Sequence, residues 1–225
     1  MSDSPSGVLV NSRSFAEYLA FFSLDDACLP ARILDCSAGA SSFVAEARRR
    51  GVDALAVDPA YENPTRLLIE ARAGVAGGAQ LIADNQDRFV YGWYGSPSRR
   101  ARMRRDALEA FVRDYSRSPE RYLPAALPGL PLETDSFDLA LCSHLLFTWA
   151  THYDELWHLA SLVELCRVAT EVRVFPLVLQ GTGEAVEFLP SLRDRLKRGF
   201  GINSNIVTVA YEFQRGAHHM LQLSR

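Results

Sequence analysis

The segment Arg32-Ile-Leu-Asp-Cys-Ser-Ala-Gly-Ala-Ser-Ser-Phe43 predicts a strand, a turn of small residues and the start of a helix. The strand ends before Asp35, and the helix begins at Ser41 or Ser42. Small side chains let a ligand approach the backbone, and amide groups at a helix N-terminus point into the same space. The layout is therefore typical of a site for a nucleotide-like ligand.

A second predicted strand also ends in an acid. Its residues Ala54-Leu-Ala-Val57 are apolar, and Asp58 follows directly. A carboxylate at this position of an α/β sheet is placed to accept hydrogen bonds from two ribose hydroxyls. The first turn lacks the G-x-G-x-x-G pattern, which argues against a nicotinamide-type dinucleotide.

Length and charge limit the range of functions. The chain has 225 residues, of which 48% are hydrophobic and 23% charged, and its formal net charge is −3. This length suits one α/β domain with extra segments, so we predict a single domain over residues 1–225. The small negative charge argues against a general nucleic-acid binder.

The cysteines and the apolar runs bear on the compartment. Four cysteines occur without metal-ligand spacing, and the spacing predicts reduced thiols and no metal site. The sequence shows no charged-then-apolar leader and no apolar run long enough to span a bilayer. We therefore expect a cytoplasmic protein with no membrane segment.

Capping signals predict two helices beside these strands. Ser14 precedes apolar residues at helical spacing over 15–22, and a small polar stretch, Met1–Gly7, comes before it. Asn63, followed by proline, predicts the start of a helix over 65–73 that ends at glycine 74.

The remaining chain predicts an insertion and the end of a sheet. Residues 75–120 exceed what a strand-helix-strand repeat requires, so we predict a helical insertion or cap that contains the arginine-rich run Arg99–Arg105. A third strand is predicted over 121–126. Residues 206–213 and 219–223 alternate like a terminal antiparallel pair of strands.

These features together resemble the class I S-adenosylmethionine-dependent methyltransferases. The run LPLETDSFDLALCSHLLF, residues 130–147, is similar to the fourth motif region of that family. Counting from Asp35, the family's three glycine positions hold Ser37, Gly39 and Ser41. The resemblance covers nearly the whole chain outside the insertion. It points to a bacterial group of unassigned substrate.

The resemblance implies the fold and the cofactor. It implies a Rossmann-like α/β fold, with a mostly parallel seven-stranded sheet, a terminal antiparallel strand pair and a helical insertion. It implies S-adenosylmethionine as the cofactor, with Asp35 near the methionine end and Asp58 on the ribose. The cofactor-binding residues it indicates are Arg13, Tyr18, Asp35, Cys36, Ser37, Ala38, Gly39, Asp58, Pro59 and Ser143.

Three of the candidate residues have two interpretations. Arg13 and Tyr18 either contact the methionine carboxylate of the cofactor or serve as surface and packing residues. His144 follows the predicted strand 137–143 at the carboxyl edge of the sheet, where ligands of such sheets bind. It acts either as a general base or as a hydrogen-bonding residue that shapes the pocket.

Three functional hypotheses follow. The first is a small-molecule methyltransferase, in which in-line transfer depends chiefly on positioning the acceptor. The second is an RNA or protein methyltransferase that docks through Arg99–Arg105, a run that is also typical of a solvated helix face. The third is a methyltransferase-fold protein that binds the cofactor, or nothing, without transferring a methyl group.

Overall fold

A computed structural model describes residues 10–225, except for the side chains of residues 79 and 81. The predicted polar start, Met1–Gly7, lies outside the described residues. The strands are β1 Arg32–Cys36, β2 Asp53–Val57, β3 Tyr122–Leu123, β4 Phe137–Ser143, β5 Ala169–Phe175, β6 Asn203–Thr208 and β7 His219–Ser224. The α-helices are α1 Phe15–Phe21, α2 Phe43–Arg49, α3 Pro64–Ala83, α4 Pro97–Arg117, α5 Glu155–Val168 and α6 Leu189–Phe200.

The strands form a seven-stranded sheet in the order β3-β2-β1-β4-β5-β7-β6. The first five strands pair in parallel, and β7 pairs antiparallel with both β5 and β6. The order reverses direction between β1 and β4, and ligands of open α/β sheets bind at such a reversal. The predicted fold class, including the terminal antiparallel pair, is confirmed.

Helices cover both faces of the sheet. Helices α1 to α4 contribute to one hydrophobic cluster, which includes Phe21, Phe43 and Phe111. Helices α5 and α6 contribute to a second cluster on the other face, which includes Leu162 and Leu196. Burial on both faces explains why β4 is apolar at nearly every position rather than alternating.

The predicted caps are present, but the predicted end of α3 is wrong. Asn63 accepts a hydrogen bond from the backbone N–H of Arg66 at 3.0 Å, and α3 then continues through Gly74 to Ala83. A glycine inside a helix costs only about 1 kcal/mol, which tertiary packing can offset. A Cβ atom at Gly74 would lie 2.7 Å from the carbonyl oxygen of Val10. Gly74 therefore allows close packing of the N-terminal segment and does not end the helix.

Two predicted strands are shorter than expected. The third strand, predicted over 121–126, contains only Tyr122 and Leu123, because Pro124 has no N–H to donate to the sheet. The strand predicted over 206–213 ends at Thr208. Residues 209–218 instead form a loop whose apolar side chains pack over the carboxyl edge of the sheet.

Within residues 10–225, no helix combines the length and the apolar character that crossing a membrane requires.

Candidate functional site

The carboxyl ends of the parallel strands open on one large cavity of about 1290 Å³. Cys36 of β1 lies level with Val57 of β2 on one side and with Cys142 of β4 on the other. The residues that follow these three positions, Ser37, Asp58 and Ser143, therefore lie in a row, and all three line the cavity. The fold therefore brings together three of the predicted cofactor-binding residues, one after each of three neighbouring strands.

The turn after β1 keeps its tight shape with one glycine. Ser37 and Gly39 both adopt a positive φ, +61° and +56°. The carbonyl oxygen of Gly39 accepts a hydrogen bond from the Tyr61 hydroxyl at 2.7 Å, and a Cβ atom at Gly39 would lie 3.1 Å from the carbonyl oxygen of Asn11. Serine therefore tolerates the left-handed conformation at 37, whereas the crowding at 39 favours glycine.

Asp58 is held in a fixed orientation at the cavity wall. Its Oδ2 accepts a hydrogen bond from the backbone N–H of Gly39 and its Oδ1 from that of Ala60, each at 2.9 Å. Burial raises the pKa of Asp58, and the two amides partly counter this. Because a carboxylate oxygen has two lone pairs, each oxygen retains one for a ligand.

Asp35 lies behind the cavity wall rather than on it. It is fully buried, accepts hydrogen bonds from the Tyr18 hydroxyl at 2.9 Å and the Ser41 hydroxyl at 3.0 Å, and is absent from the cavity lining. Burial raises its pKa to about 7. The resemblance implies Asp35 near the methionine end of the cofactor, whereas in the structure its carboxylate is turned away from the cavity, towards the Tyr18 and Ser41 hydroxyls. Ser41, at a position where the family has glycine, supplies one of its two donors.

Two other predicted contact residues also lie outside the cavity. Tyr18 is 1% exposed and stacks on Phe43, so its hydroxyl is turned to Asp35 and not to a ligand. Cys36 is 1% exposed, and its thiol, whose pKa burial raises strongly, belongs to the hydrophobic cluster behind the sheet. Their positions inside α1 and β1 turn both side chains into the core. Arg13, Ala38, Pro59 and Ser143 do line the cavity.

His144 lines the cavity directly after β4. It adopts a positive φ of +56°, and its backbone N–H donates to the carbonyl oxygen of Phe175 at 2.7 Å. Its ring packs against Phe21 and Phe175, with centroids 5.1 and 5.5 Å apart. Burial lowers its pKa well below the usual value, and nearby arginines lower it further. The ring is therefore neutral at neutral pH. Its Nδ1 lies 3.3 Å from Ser143 Oγ, within hydrogen-bond distance.

An arginine cluster lies beside His144, although the run Arg99–Arg105 predicted either a docking element or a solvated helix face. Arg104 is 5% exposed and pairs with Glu17 at 2.8 Å, while Arg13 lies 3.6 Å from the same carboxylate. Arg100 lines the cavity. The signal lay in the helical spacing of Arg100 and Arg104, which places both on one face of α4.

The half of the cavity beyond His144 is aromatic. Its walls include Phe175 at the end of β5, Tyr211 and Phe213 from the loop between β6 and β7, and Phe89 from the segment before α4. Phe89 and Phe213 stack with centroids 4.8 Å apart. The sequence did not identify these residues as a group, because they come from three segments that only the tertiary fold brings together.

The residues described give no candidate metal centre. Within residues 10–225, no group of three or more His, Cys, Asp or Glu side chains is placed to hold a metal ion. The four cysteines, all in this range, are free thiols.

Sequence comparison finds a similar protein whose description assigns no activity. No protein-family model matches this chain. A curated protein of Methanocaldococcus jannaschii, described as uncharacterized protein MJ0045, is 25% identical over 215 residues, which cover 95% of this chain and 94% of that protein. This relative is archaeal, whereas the resemblance in the sequence pointed to a bacterial group.

Solved structures show the fold. The mitomycin 7-O-methyltransferase MmcR aligns with a TM-score of 0.50 at 14% identity, over 94% of this chain and 53% of that chain. The 1,6-didemethyltoxoflavin-N1-methyltransferase of Burkholderia thailandensis aligns with a TM-score of 0.49 at 17% identity, over 87% of this chain and 71% of that chain. The alignment with MmcR and the strand order show that this chain has the fold of the class I methyltransferases.

Proposed function

We propose that this chain is an S-adenosylmethionine-dependent methyltransferase that acts on a small molecule by in-line methyl transfer. The observation that carries the proposal is Asp58, whose carboxylate is fixed at the cavity wall by the amides of Gly39 and Ala60. An acid held there, beside a turn of small residues at the end of β1, is what a ligand with a ribose requires.

The residues that line the cavity around the turn after β1 fit S-adenosylmethionine. Asp58 would accept hydrogen bonds from the ribose hydroxyls through its remaining lone pairs. The backbone of 37–39 would lie along the methionine part, and Arg13 would pair with its carboxylate. Asp35 would act from behind the wall, by holding the turn through Ser41.

The cofactor supplies an electrophilic methyl group, and the chain has to position the acceptor and take its proton. His144 lines the cavity with a neutral ring that can accept a proton, and because its lowered pKa makes it a weak base, this role suits an acceptor whose proton is itself acidic. Ser143 Oγ, next to Nδ1, would orient the ring and leave Nε2 for the acceptor. A positive φ at a histidine is uncommon, and such outliers concentrate at functional sites.

A small acceptor agrees better with the described surface than an RNA or protein does. The arginine-rich helix was the proposed docking element for a macromolecule, but Arg100 and Arg104 face the interior. The exposed arginines of that run are Arg99, Arg102 and Arg105. The aromatic half of the cavity, by contrast, offers a concave apolar wall of the kind that binds small molecules.

Calorimetric titration with S-adenosylmethionine and with S-adenosylhomocysteine tests the proposal. We expect both to bind in the micromolar range to the wild-type protein. Retained binding without turnover of any acceptor would favour a non-catalytic cofactor-binding protein. Binding of neither ligand, in a sample shown to be folded, would contradict the proposed activity.

A further inference from the structure

The arginine cluster beside the cavity carries more positive charge than its carboxylate can balance. Glu17 is fully buried and lies 2.8 Å from Arg104 and 3.6 Å from Arg13. Burial alone would raise the pKa of Glu17, but these two arginines hold it below its usual value, so the carboxylate is charged. Within residues 10–225, Arg100 forms no ion pair with any carboxylate. Among residues 10–225, the cluster therefore contains three guanidinium groups and one carboxylate, an excess of two positive charges.

Arg100 is the member of the cluster placed to meet a ligand in the aromatic half of the cavity. Its guanidinium carbon lies 4.4 Å from the centroid of the Phe213 ring, and both residues line the cavity. Its Nε is enclosed and has no hydrogen-bond partner among the described residues. The guanidinium therefore lies over the Phe213 ring at the cavity wall, where an anion in the cavity would meet its terminal N–H donors.

A partly buried cation without a partner is unfavourable in the absence of an anion. Burial, and next to it the charge of Arg104, lowers the pKa of Arg100. The free-energy cost of removing a cation from water is offset when an oppositely charged group pairs with it. Arg104 has that compensation in Glu17, whereas no carboxylate among residues 10–225 pairs with Arg100. A bound anion would supply it.

We propose that Arg100 binds the anionic group, a carboxylate or a phosphate, of an aromatic acceptor whose ring lies in the cavity against the wall formed by Phe213 and Phe89. This inference rests on the proposed methyltransferase function and adds the substrate class. Arg13 serves the methionine carboxylate of the cofactor, because it lines the cavity close to the turn after β1. Arg100 comes from α4, beside the aromatic walls, and serves the acceptor.

The test measures binding of three probes by ligand-observed NMR, in the presence and absence of S-adenosylhomocysteine. The probes are benzoate, phenyl phosphate and benzamide, which has the shape of benzoate without its charge. The variants are Arg100→Gln and Arg13→Gln, and the matched control is Arg102→Gln, an exposed arginine on the same helix. Thermal unfolding checks that each variant is folded.

We expect one of the two anions to bind the wild-type protein in preference to benzamide, and the better of the two identifies the anionic group. Arg100→Gln should weaken that binding about tenfold to hundredfold, which corresponds to the loss of a charged hydrogen bond. The same variant should leave the affinity for S-adenosylhomocysteine within about twofold of wild type. Arg102→Gln should change neither affinity, and Arg13→Gln should weaken S-adenosylhomocysteine binding.

Two results would overturn the inference while leaving the methyltransferase proposal intact. One is normal S-adenosylhomocysteine binding with no preference for either anion over benzamide. The other is a loss of S-adenosylhomocysteine affinity in Arg100→Gln as large as that in Arg13→Gln, which would assign Arg100 to the cofactor carboxylate. Anion binding that depends on Arg100, in a protein that does not bind S-adenosylhomocysteine, would instead refute the proposed function and keep the anion site.

Discussion

The carboxylate of Asp58 accepts a hydrogen bond from the backbone N–H of Gly39 at 2.9 Å. This contact joins the acid after β2 to the turn after β1, so the two parts of the proposed cofactor site are positioned by one another. The second oxygen is held by the N–H of Ala60. An acid that is oriented before a ligand arrives loses little freedom on binding, which favours affinity.

Asp58→Asn is expected to weaken S-adenosylmethionine binding by about 1.5–3 kcal/mol, because hydrogen bonds from the ribose to a charged acceptor are lost. Calorimetric titration measures the change. Asp53→Asn is the matched control, since Asp53 is exposed and lies at the opposite end of the same strand. Equal affinity in wild type and Asp58→Asn would refute the placement of Asp58 on the ribose.

Gly39→Ala is expected to lower both stability and cofactor affinity. Alanine at a φ of +56° costs about 1–2 kcal/mol, and its Cβ would crowd the carbonyl oxygen of Asn11. Gly77→Ala is the control, because Gly77 lies inside α3 with nothing within 4 Å of an added Cβ. There alanine should stabilise the helix by about 0.5–1 kcal/mol. Denaturant unfolding measures the stability of both variants, and calorimetric titration measures cofactor affinity. Unchanged stability in Gly39→Ala would contradict the tight turn.

Asp35 should make the protein less stable as the pH rises. Its pKa is about 7 in the folded protein against a usual 3.8, so its contribution to the free energy of unfolding is complete below pH 3.8 and is lost as the pH rises through 7. Asp35→Asn removes this dependence. The stability of the variant relative to wild type should therefore increase between pH 4 and pH 7, as measured by urea unfolding. A constant difference across this range would contradict the raised pKa.

His144→Ala is expected to abolish turnover while S-adenosylhomocysteine still binds. The imidazole of His144 should remain neutral at pH 6.5, because burial and the nearby arginines lower its pKa. NMR titration of ring-labelled histidine measures this directly. His152→Ala, at an exposed position a few residues away, is the control and should keep full activity. Unchanged turnover in His144→Ala would leave the ring with only a pocket-shaping role.

Glu17→Gln is expected to destabilise the protein by about 3–5 kcal/mol, since it leaves buried Arg104 without its counter-charge. Asp194→Asn is the control, because Asp194 and Arg198 form an exposed pair that contributes little. Thermal and denaturant unfolding measure both changes. Loss of stability equal to that of the control would show that Glu17 does not balance the cluster.

The strand-turn-helix at 32–43 and the strands that end in Asp58 and Ser143 were predictable, because their order and apolar runs are local patterns. Chain order then puts their ends at one edge of a parallel sheet. The direction in which a side chain points was harder to predict than the segment in which the residue lies. Tyr18, Asp35 and Cys36 occupy the expected segments, yet their side chains point into the core.

The arginine cluster could not be predicted with the same reasoning. A run of arginines on a helix is usually solvated, and Arg104 becomes buried only because Glu17, from a helix about 90 residues earlier, pairs with it. Gly74 was likewise predicted to end a helix, because glycine often does so. Its actual role, which is to let Val10 approach the helix closely, depends on a contact between distant segments and could not be predicted locally.

The sequence by itself determined the sheet, the turn after β1 and the acid after β2, because these depend on short periodic patterns and on residues close in the chain. Only the tertiary structure decided which carboxylate faces the cavity, which arginines pair with Glu17 and which aromatic residues line the other half of the cavity. Those properties depend on contacts between distant segments, and burial and charge balance arise only when such segments pack together.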